Sequence, residues 1–343
     1  LIFSATANAS LSIGALSTPN RVVLAPMAGI TDAPFRRMAL RYGAGLVVSE
    51  MVASDALASG HEETVLRAEG EGVALHAVQL AGNQPGSMAR AARLAESAGA
   101  AIIDINMGCP AKRVTTGLAG SALLRDLDLA TAIIEAVVGA VKVPVTLKTR
   151  LGWDGEALVA PELARRAEAI GVRLVTIHGR TRCQFYTGKA DWAAIRAVKQ
   201  AVTIPVLANG DLVNAEDAPA MLAASGADGL MIGRGAQGRP WFPGQVAMRL
   251  QTGQTPADPP LAEQRDVLLE LYEGWLGHYG RELGMRCARK HIGWALAAAG
   301  VTAGHPPDAA RHWRQQLLTR DEPAHVVEGI RDAFDDLAWS EAA

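Results

Sequence analysis

The segment Asp104-Ile105-Asn106-Met107-Gly108-Cys109-Pro110 carries the most reactive side chain in a position to act. Gly108 and Pro110 constrain the backbone on both sides of the thiol, so Cys109 is expected to be held in one place. Free cysteine is usually a small buried hydrophobe, and that is the simplest account of Cys183 and Cys287. Cys109 differs because it closes an apolar run and has polar neighbours. An ordinary thiol is mostly protonated at neutral pH and can give up its proton as a general acid. With a base beside it the same residue would act as a thiolate nucleophile. His178 is a candidate base, and spacing alone does not choose between the two chemistries. The chain continues through Lys112, Arg113, Gly117 and Gly120. Glycines on either side of Leu118 and Ala119 favour a segment able to move, and the two cations suit a phosphate-bearing substrate.

A positioned thiol needs a framework that brings other groups to it. Short apolar runs recur at Val22 to Ala25, Leu46 to Val48, Ala74 to Leu80, Ala101 to Ile105, Val145 to Leu147, Leu174 to Ile177, Pro205 to Ala208 and Gly229 to Ile232. They are rich in Val, Ile and Leu and bounded by Gly, Pro or polar residues, as parallel strands buried on both faces are. Helical periodicity lies between them, as at Ser87 to Ser97, Leu129 to Val138, Ala160 to Ile170 and Trp192 to Ala201. Runs and helices alternating over roughly 230 residues predict an α/β fold, a (β/α)₈ TIM barrel, which typically takes ~250. A doubly wound open sheet is the competing architecture. After Leu250 the pattern changes: a Pro-containing stretch is followed only by helical windows, Ala262 to Tyr279, Glu282 to Ala299, Ala309 to Leu318 and Pro323 to Ala338. The expected organisation is a barrel over 1–250, a linker over 251–260 and an all-helical domain over 261–343.

In a TIM barrel the chemistry sits at the C-terminal ends of the strands. The residues that end these runs are Met27, Glu50, Gln79, Asn106, Lys148, His178, Asn209 and Gly233. Each alone is an ordinary capping or hydrogen-bonded residue, but the amides of Asn106 and Asn209, an ammonium and an imidazole converging at one mouth point to an active site. The last two ends read Asn209-Gly210-Asp211 and Gly233-Arg234-Gly235. The loops after strands seven and eight are the usual phosphate site of this fold, where glycines allow close backbone approach and an arginine adds a bidentate charge. They imply a phosphorylated cofactor or substrate.

Composition limits the alternatives. Of 343 residues 49% are hydrophobic and 20% charged, with a net charge of −2, so nucleic-acid binding would need a local basic patch. The 3 cysteines are too few and scattered for a disulfide scaffold or a zinc site, which favours a reducing cytoplasm and no metal. The start of the chain lacks the basic leader and apolar core of a signal peptide. No apolar run approaches the ~20 residues that span a bilayer, so no membrane association is expected.

The runs Ala25-Pro26-Met27-Ala28-Gly29-Ile30-Thr31-Asp32, Asp104 to Val114, His178-Gly179-Arg180-Thr181-Arg182, Asn209-Gly210-Asp211 and Gly233-Arg234 resemble those of the tRNA-dihydrouridine synthases. Cys109-Pro110-Ala111-Lys112, Ala236-Gln237-Gly238-Arg239-Pro240-Trp241 and Arg286 through Trp294 are similar to the bacterial B branch. The resemblance runs from about Val22 to the end of the helical region. It implies a TIM barrel with a helical tRNA-binding domain, FMN as prosthetic group, NADPH (or NADH) as reductant and tRNA as partner. Pro26, Met27 and Ala28 would line the flavin, Gln79 would bond its pyrimidine edge and Lys148 would sit by N1 and O2. His178 would contact flavin or uracil, and Asn209, Gly210, Asp211, Gly233 and Arg234 would hold the phosphate. Asn106 would bond the uracil, and Cys109 matches the general acid rather than a nucleophile. Lys112, Arg113, Arg150, Arg180 and Arg182 would be substrate contacts.

Residues 255–343 hold nine basic and fourteen acidic side chains, so RNA contact there must be concentrated. On a helix from Glu282 to Ala299 a step of about 100° places Arg286, Arg289, Lys290 and Gly293 on one stripe, with Gly293 expected to leave it open to a phosphate backbone. Met285, Ala288, Ile292, Ala295 and Leu296 fall on an adjoining face suited to packing. Two rival functions stand beside this one: an FMN barrel acting on a free pyrimidine, and a non-catalytic tRNA-binding protein.

Overall fold

Val22, Val23 and Leu24 show how so short an apolar run becomes a barrel strand. Val22 and Leu24 pack outward under the helices, whereas Val23 points inward to a cluster that includes Leu46, Ala77, Ile102, Leu174 and Met231. Both faces are buried, so the two-residue period of a strand carries no polar alternation. The computed structural model describes residues 10–306 and 310–339. Its parallel strands are β1 (Val22–Leu24), β2 (Leu46–Ala53), β3 (Ala77–Ala81), β4 (Ile102–Met107), β5 (Val145–Arg150), β6 (Leu174–His178), β7 (Val206–Asn209) and β8 (Gly229–Ile232). Each pairs with the next and β8 pairs with β1, so the sheet closes into a barrel. Closure excludes the open-sheet alternative.

A small antiparallel hairpin, Ser12–Ile13 with Leu16–Ser17, precedes the barrel. Leu11 and Ile13 belong to the same inward-facing cluster as Val23, so this hairpin plugs the floor. At the opposite end the register sets polar side chains beside one another: Gln79 opposite Asp104, Asp104 opposite Thr146, and Asn106 opposite Lys148. Farther round, Arg150 lies opposite His178 and His178 opposite Asn209. A bulge between Val48 and Met51 marks the mouth end of β2. There Ser49 Oγ accepts a hydrogen bond from the Gln79 backbone, and the Glu50 carboxylate accepts one from Gly29 N–H.

The last barrel helix, Phe242–Thr252, ends at Gly253, whose φ of 77° terminates it. Residues 253–260 are irregular but pinned: Asp258 Oδ1 accepts from Trp241 Nε1 (2.8 Å) and Gln245 Nε2 (2.9 Å). Among the described residues four helices follow, α1 (Leu261–Tyr279), α2 (Arg281–Thr302), α3 (Arg311–Leu317) and α4 (Pro323–Trp339). Ala309, expected to open the third, lies outside the described residues. Met285, Ala288, Ile292 and Leu296 of α2 are buried, as their periodicity requires. The helices join the barrel through Asp32, which caps the Ala33–Arg41 helix at Phe35 N. Asp32 also accepts from Trp275 Nε1 (3.1 Å) and Tyr279 OH (3.3 Å) of α1.

Candidate active site

The thiol loop is built from its backbone outward. Asn106 Oδ1 accepts from both Gly108 N (3.2 Å) and Cys109 N (3.0 Å), and Cys109 O accepts from Ser121 N (3.1 Å) and Ser121 Oγ (2.9 Å). Arg150 Nε reaches Gly108 O at 2.8 Å, and its Nη1 reaches Thr181 O and Phe185 O, each at 2.9 Å. Gly120 passes beneath with a φ of 60°, where a Cβ would come 2.8 Å from Cys109 O. These bonds hold the backbone around Cys109, whose side chain is half-buried. Lys112 and Arg113 project into solvent from the short helix that follows.

Beside the thiol loop, Lys148 Nζ donates to Asn209 Oδ1 (3.2 Å). Burial, reinforced by Arg150, draws the Lys148 ammonium down to about 8, with Asp104 and Cys109 opposing the shift. Burial and then Lys148, Arg150, Arg180 and Arg234 hold His178 far below its ordinary range, at about 2. His178 is therefore a neutral imidazole at physiological pH. It can exchange hydrogen bonds but is no store of positive charge, and as a base it would be very weak.

Lys148, His178 and the β7 and β8 loops border an open cavity with about 600 Å³ of empty space, part of it continuous with solvent. Pro26, Met27, Asn209, Gly210, Asp211, Gly233 and Arg234 are on its wall. Gly210, at φ 128°, is a position where any side chain would collide with Ala190, a Cβ falling 2.6 Å from the Ala190 Cβ. Trp192 Nε1 fixes its carbonyl at 2.8 Å. Gly210 is thus required by its packing on Ala190, Gly233 has room for a Cβ, and both line the cavity together with the half-exposed Arg234.

Several expected contacts are placed otherwise. Ala28 is exposed and off the cavity wall, because the turn closed by Met27 O and Ile30 N carries it outward. Arg180 is buried and pairs through both Nη atoms with Asp211, while also donating to Thr187 O and Gly188 O. It clamps the β6 and β7 loops together and is not open to a substrate. Arg150 is likewise buried in the thiol loop. Arg182 lies against Trp153 and Phe185, at 4.6 and 4.7 Å from their ring centroids. The Asp211 carboxylate faces Arg180 and Arg234 and is held below the usual range: burial opposes this, but the Arg180 bond, Ala190 N–H and Arg234 outweigh it. A carboxylate repels phosphate, so only the backbone of Asp211 suits an anion. Gln79 and Asn106 bond each other, Asn106 Nδ2 to Gln79 Oε1 at 2.7 Å, leaving each amide a second N–H to offer.

On α2, Arg286 and Arg289 are exposed, and Lys290 reaches inward to Gly29, where a Cβ would lie 2.7 Å from Nζ. Gly293 does not leave the stripe open: it is buried beneath the Arg314 side chain of α3, whose Nε would be 3.0 Å from a Cβ there. Tyr186 is a site residue that the strand-end pattern does not reach. It lies on the cavity wall, with Arg234 and Arg150 at 4.9 and 5.5 Å from its ring. The basic and aromatic residues interleaved from Arg180 to Lys189 are the signal that points to it. Among the described residues no three His, Cys, Asp or Glu side chains gather as metal ligands would. No described helix is long and apolar enough to cross a membrane.

Fold and site define a class: a (β/α)₈ barrel whose polar side chains meet at the carboxyl ends of its strands, with two glycine loops at β7 and β8. Solved structures share this fold. The chain superposes on an amine oxidase for 6-hydroxypseudooxynicotine from Pseudomonas geniculata N1 with a TM-score of 0.55 and 16% identity, over 71% of this chain and 49% of that one. A variant of NCR from Zymomonas mobilis gives 0.51 and 18%, over 72% and 91%. The family model described as Dihydrouridine synthase (Dus) matches residues 23–337, and the chain belongs to that family. It is 51% identical over 329 residues to a probable tRNA-dihydrouridine synthase of Rhodobacter capsulatus, covering 95% of this chain and 98% of the relative. It is also 49% identical over 323 residues to tRNA-dihydrouridine synthase B of Pseudomonas aeruginosa, covering 94% and 95%.

Proposed function

We propose that this protein reduces the 5,6 double bond of uridine in tRNA, in the D-loop, using FMN and NADPH or NADH. The observation that carries this is a thiol held through its backbone next to the strand bearing Lys148, with the glycine loops after β7 and β8 lining the same mouth. The residues fit FMN. Gly210, Gly233 and Arg234 line one wall of the cavity, where their backbone and guanidinium would hold a phosphate, and Lys148 is a desolvated ammonium suited to an electron-rich ring. The chemistry that FMN supplies when bound is hydride delivery to uracil C6, after its own reduction by the nicotinamide.

The rest is the work of side chains. Pro26 and Met27 would pack against the ring, and the backbone of Asn209 to Asp211 and of Gly233 would hold the phosphate. A uridine flipped out of the tRNA enters the mouth. The second N–H of Asn106 is available to its edge, while neutral His178 accepts or donates without adding charge. Cys109 Sγ gives its proton to C5 as negative charge builds on the C4 carbonyl. Lys112, Arg113, Arg286 and Arg289 are the exposed cations left to meet phosphates, with Lys290 turned toward Gly29, the helical region (261–343) serving as the RNA-binding domain and 1–250 as the catalytic one.

The test is purified protein. It should be yellow, release FMN on denaturation, bleach anaerobically with NADPH and form dihydrouridine in unmodified tRNA but not in free uridine. Protein that cannot take up FMN, or that reduces free uridine as readily as tRNA, would overturn the proposal.

A further inference from the structure

We infer that Asp104 is a positioning residue for Cys109, acting through a directional chain of buried hydrogen bonds across three strands. The chain runs Thr146 Oγ1 to Asp104 Oδ1 (2.6 Å), Gln79 Nε2 to Asp104 Oδ2 (2.7 Å), and Asn106 Nδ2 to Gln79 Oε1 (2.7 Å). It ends with the backbone N–H groups of Gly108 and Cys109 donating to Asn106 Oδ1 (3.2 and 3.0 Å). Its direction is dictated by the backbone. A peptide N–H can only donate, so the oxygen of Asn106 must face Gly108 and Cys109. Its NH₂ must then face Gln79, whose oxygen must accept it, and the NH₂ of Gln79 must turn to position 104. Position 104 must therefore present an acceptor. A carboxylate supplies one on each oxygen, with Thr146 donating to the second.

Asp104, Gln79, Asn106 and Thr146 are 3, 1, 7 and 4% exposed, so water cannot substitute for a missing partner. Remove the acceptor at 104 and the Gln79 amide is free to rotate. Asn106 then loses the firm partner of its NH₂ and is held by the Gly108 and Cys109 N–H groups alone, so the acceptor of the Cys109 peptide is less tightly fixed. Burial raises the carboxyl of Asp104, opposed by Thr146, Gln79 and Lys148. Lys148 is the charged group that faces it, itself flanked by Arg150 and Cys109. The group that matters for the thiol is the acceptor, and the charge acts separately on Lys148.

The consequence for turnover rests on Cys109 being the proton donor, so the experiment includes a readout that does not. Asp104→Leu keeps the approximate volume and removes the acceptor. Asp104→Asn keeps it, accepting from Gln79 with its oxygen and donating to Thr146 Oγ1. Iodoacetamide labelling of Cys109 is followed by peptide mass spectrometry, with exposed Cys183 as internal control. In Asp104→Leu, Cys109 should label several-fold faster with Cys183 unchanged, and Asp104→Asn should label like the parent. Reoxidation of the NADPH-reduced flavin by tRNA should slow by about 10–100-fold in Asp104→Leu, the effect of a reacting group displaced by about 1 Å. Should Asp104→Leu fail to fold, Gln79→Met breaks the same chain from its middle, and the same increase in Cys109 labelling is required. Parental labelling in the broken-chain variants, or equal changes in Asp104→Asn and Asp104→Leu, overturns the inference. Altered labelling without any effect on turnover would count instead against Cys109 as the proton donor.

Discussion

Replacing Lys148 with Met should separate what the site costs the fold from what it gives the chemistry. The ammonium is drawn from 10.5 to about 8 by burial, so the native state holds this proton less tightly than the unfolded chain. Between pH 8 and 10.5 the unfolded state binds more protons, and stability of the parent rises with pH in that window; below 8 the full burial cost is present. The displacement corresponds to about 3 kcal/mol. Methionine carries no such cost, so the stability advantage of Lys148→Met over the parent should shrink by about that amount between pH 7 and the top of the window. Reading the difference between the two proteins cancels the titrating groups that do not interact with Lys148. The penalty that Asp104 suffers when its cationic neighbour is gone belongs to the variant alone, so it offsets the difference, and the change of the difference with pH is the quantity to read. The assay is urea unfolding of cofactor-free protein at pH 7 to 10, followed by tryptophan fluorescence. A stability difference that does not move with pH would refute the assignment of Lys148 as a desolvated ammonium.

Cys109→Ser should keep FMN and bleach with NADPH, yet reoxidise with tRNA about 10²–10⁴-fold more slowly, as measured by stopped-flow absorbance. Replacing Arg286, Arg289 and Lys290 together with Ala should weaken tRNA binding and lower the salt dependence by roughly 0.7–0.9 for each phosphate that is no longer neutralised, with FMN content unchanged. Parental binding at every salt concentration would remove the stripe from the RNA site. Trp275→Ala empties a fully buried position beneath Asp32 and should cost about 3–5 kcal/mol in denaturant unfolding.

The barrel is legible in the sequence because strands buried on both faces read as unbroken Val, Ile and Leu between turn residues, and Gly229 to Ile232 is bounded correctly from that pattern alone. The Ser12–Ser17 hairpin is not, since strands of two residues show no period. Strand ends point to Gln79, Asn106, Lys148, His178 and Asn209 because the fold gathers those positions whatever their spacing. Sequence does not say what each side chain will meet. Arg180 looks like a free cation until Asp211, 31 residues on, is folded against it. Asp104 gains its part only from Gln79 and Thr146, 25 and 42 residues away. Gly293 sits correctly on its helical stripe, but the helix bearing Arg314 that covers it depends on packing that periodicity within one helix does not encode.

Asp32 has a mechanical consequence. One carboxylate starts the Ala33–Arg41 helix and receives Trp275 and Tyr279 from α1, and it follows directly on the turn from Met27 to Thr31. The helices therefore cannot lift from the barrel without stripping donors from a buried anion immediately behind the pocket wall. A displacement of α1 is passed, through the Trp275 and Tyr279 side chains and Asp32, to the segment that carries Met27 on the cavity wall. The smallest piece of this chain with an intact pocket is therefore expected to include its C-terminal helices, and severing them should disturb the cavity wall as well as remove the helices themselves.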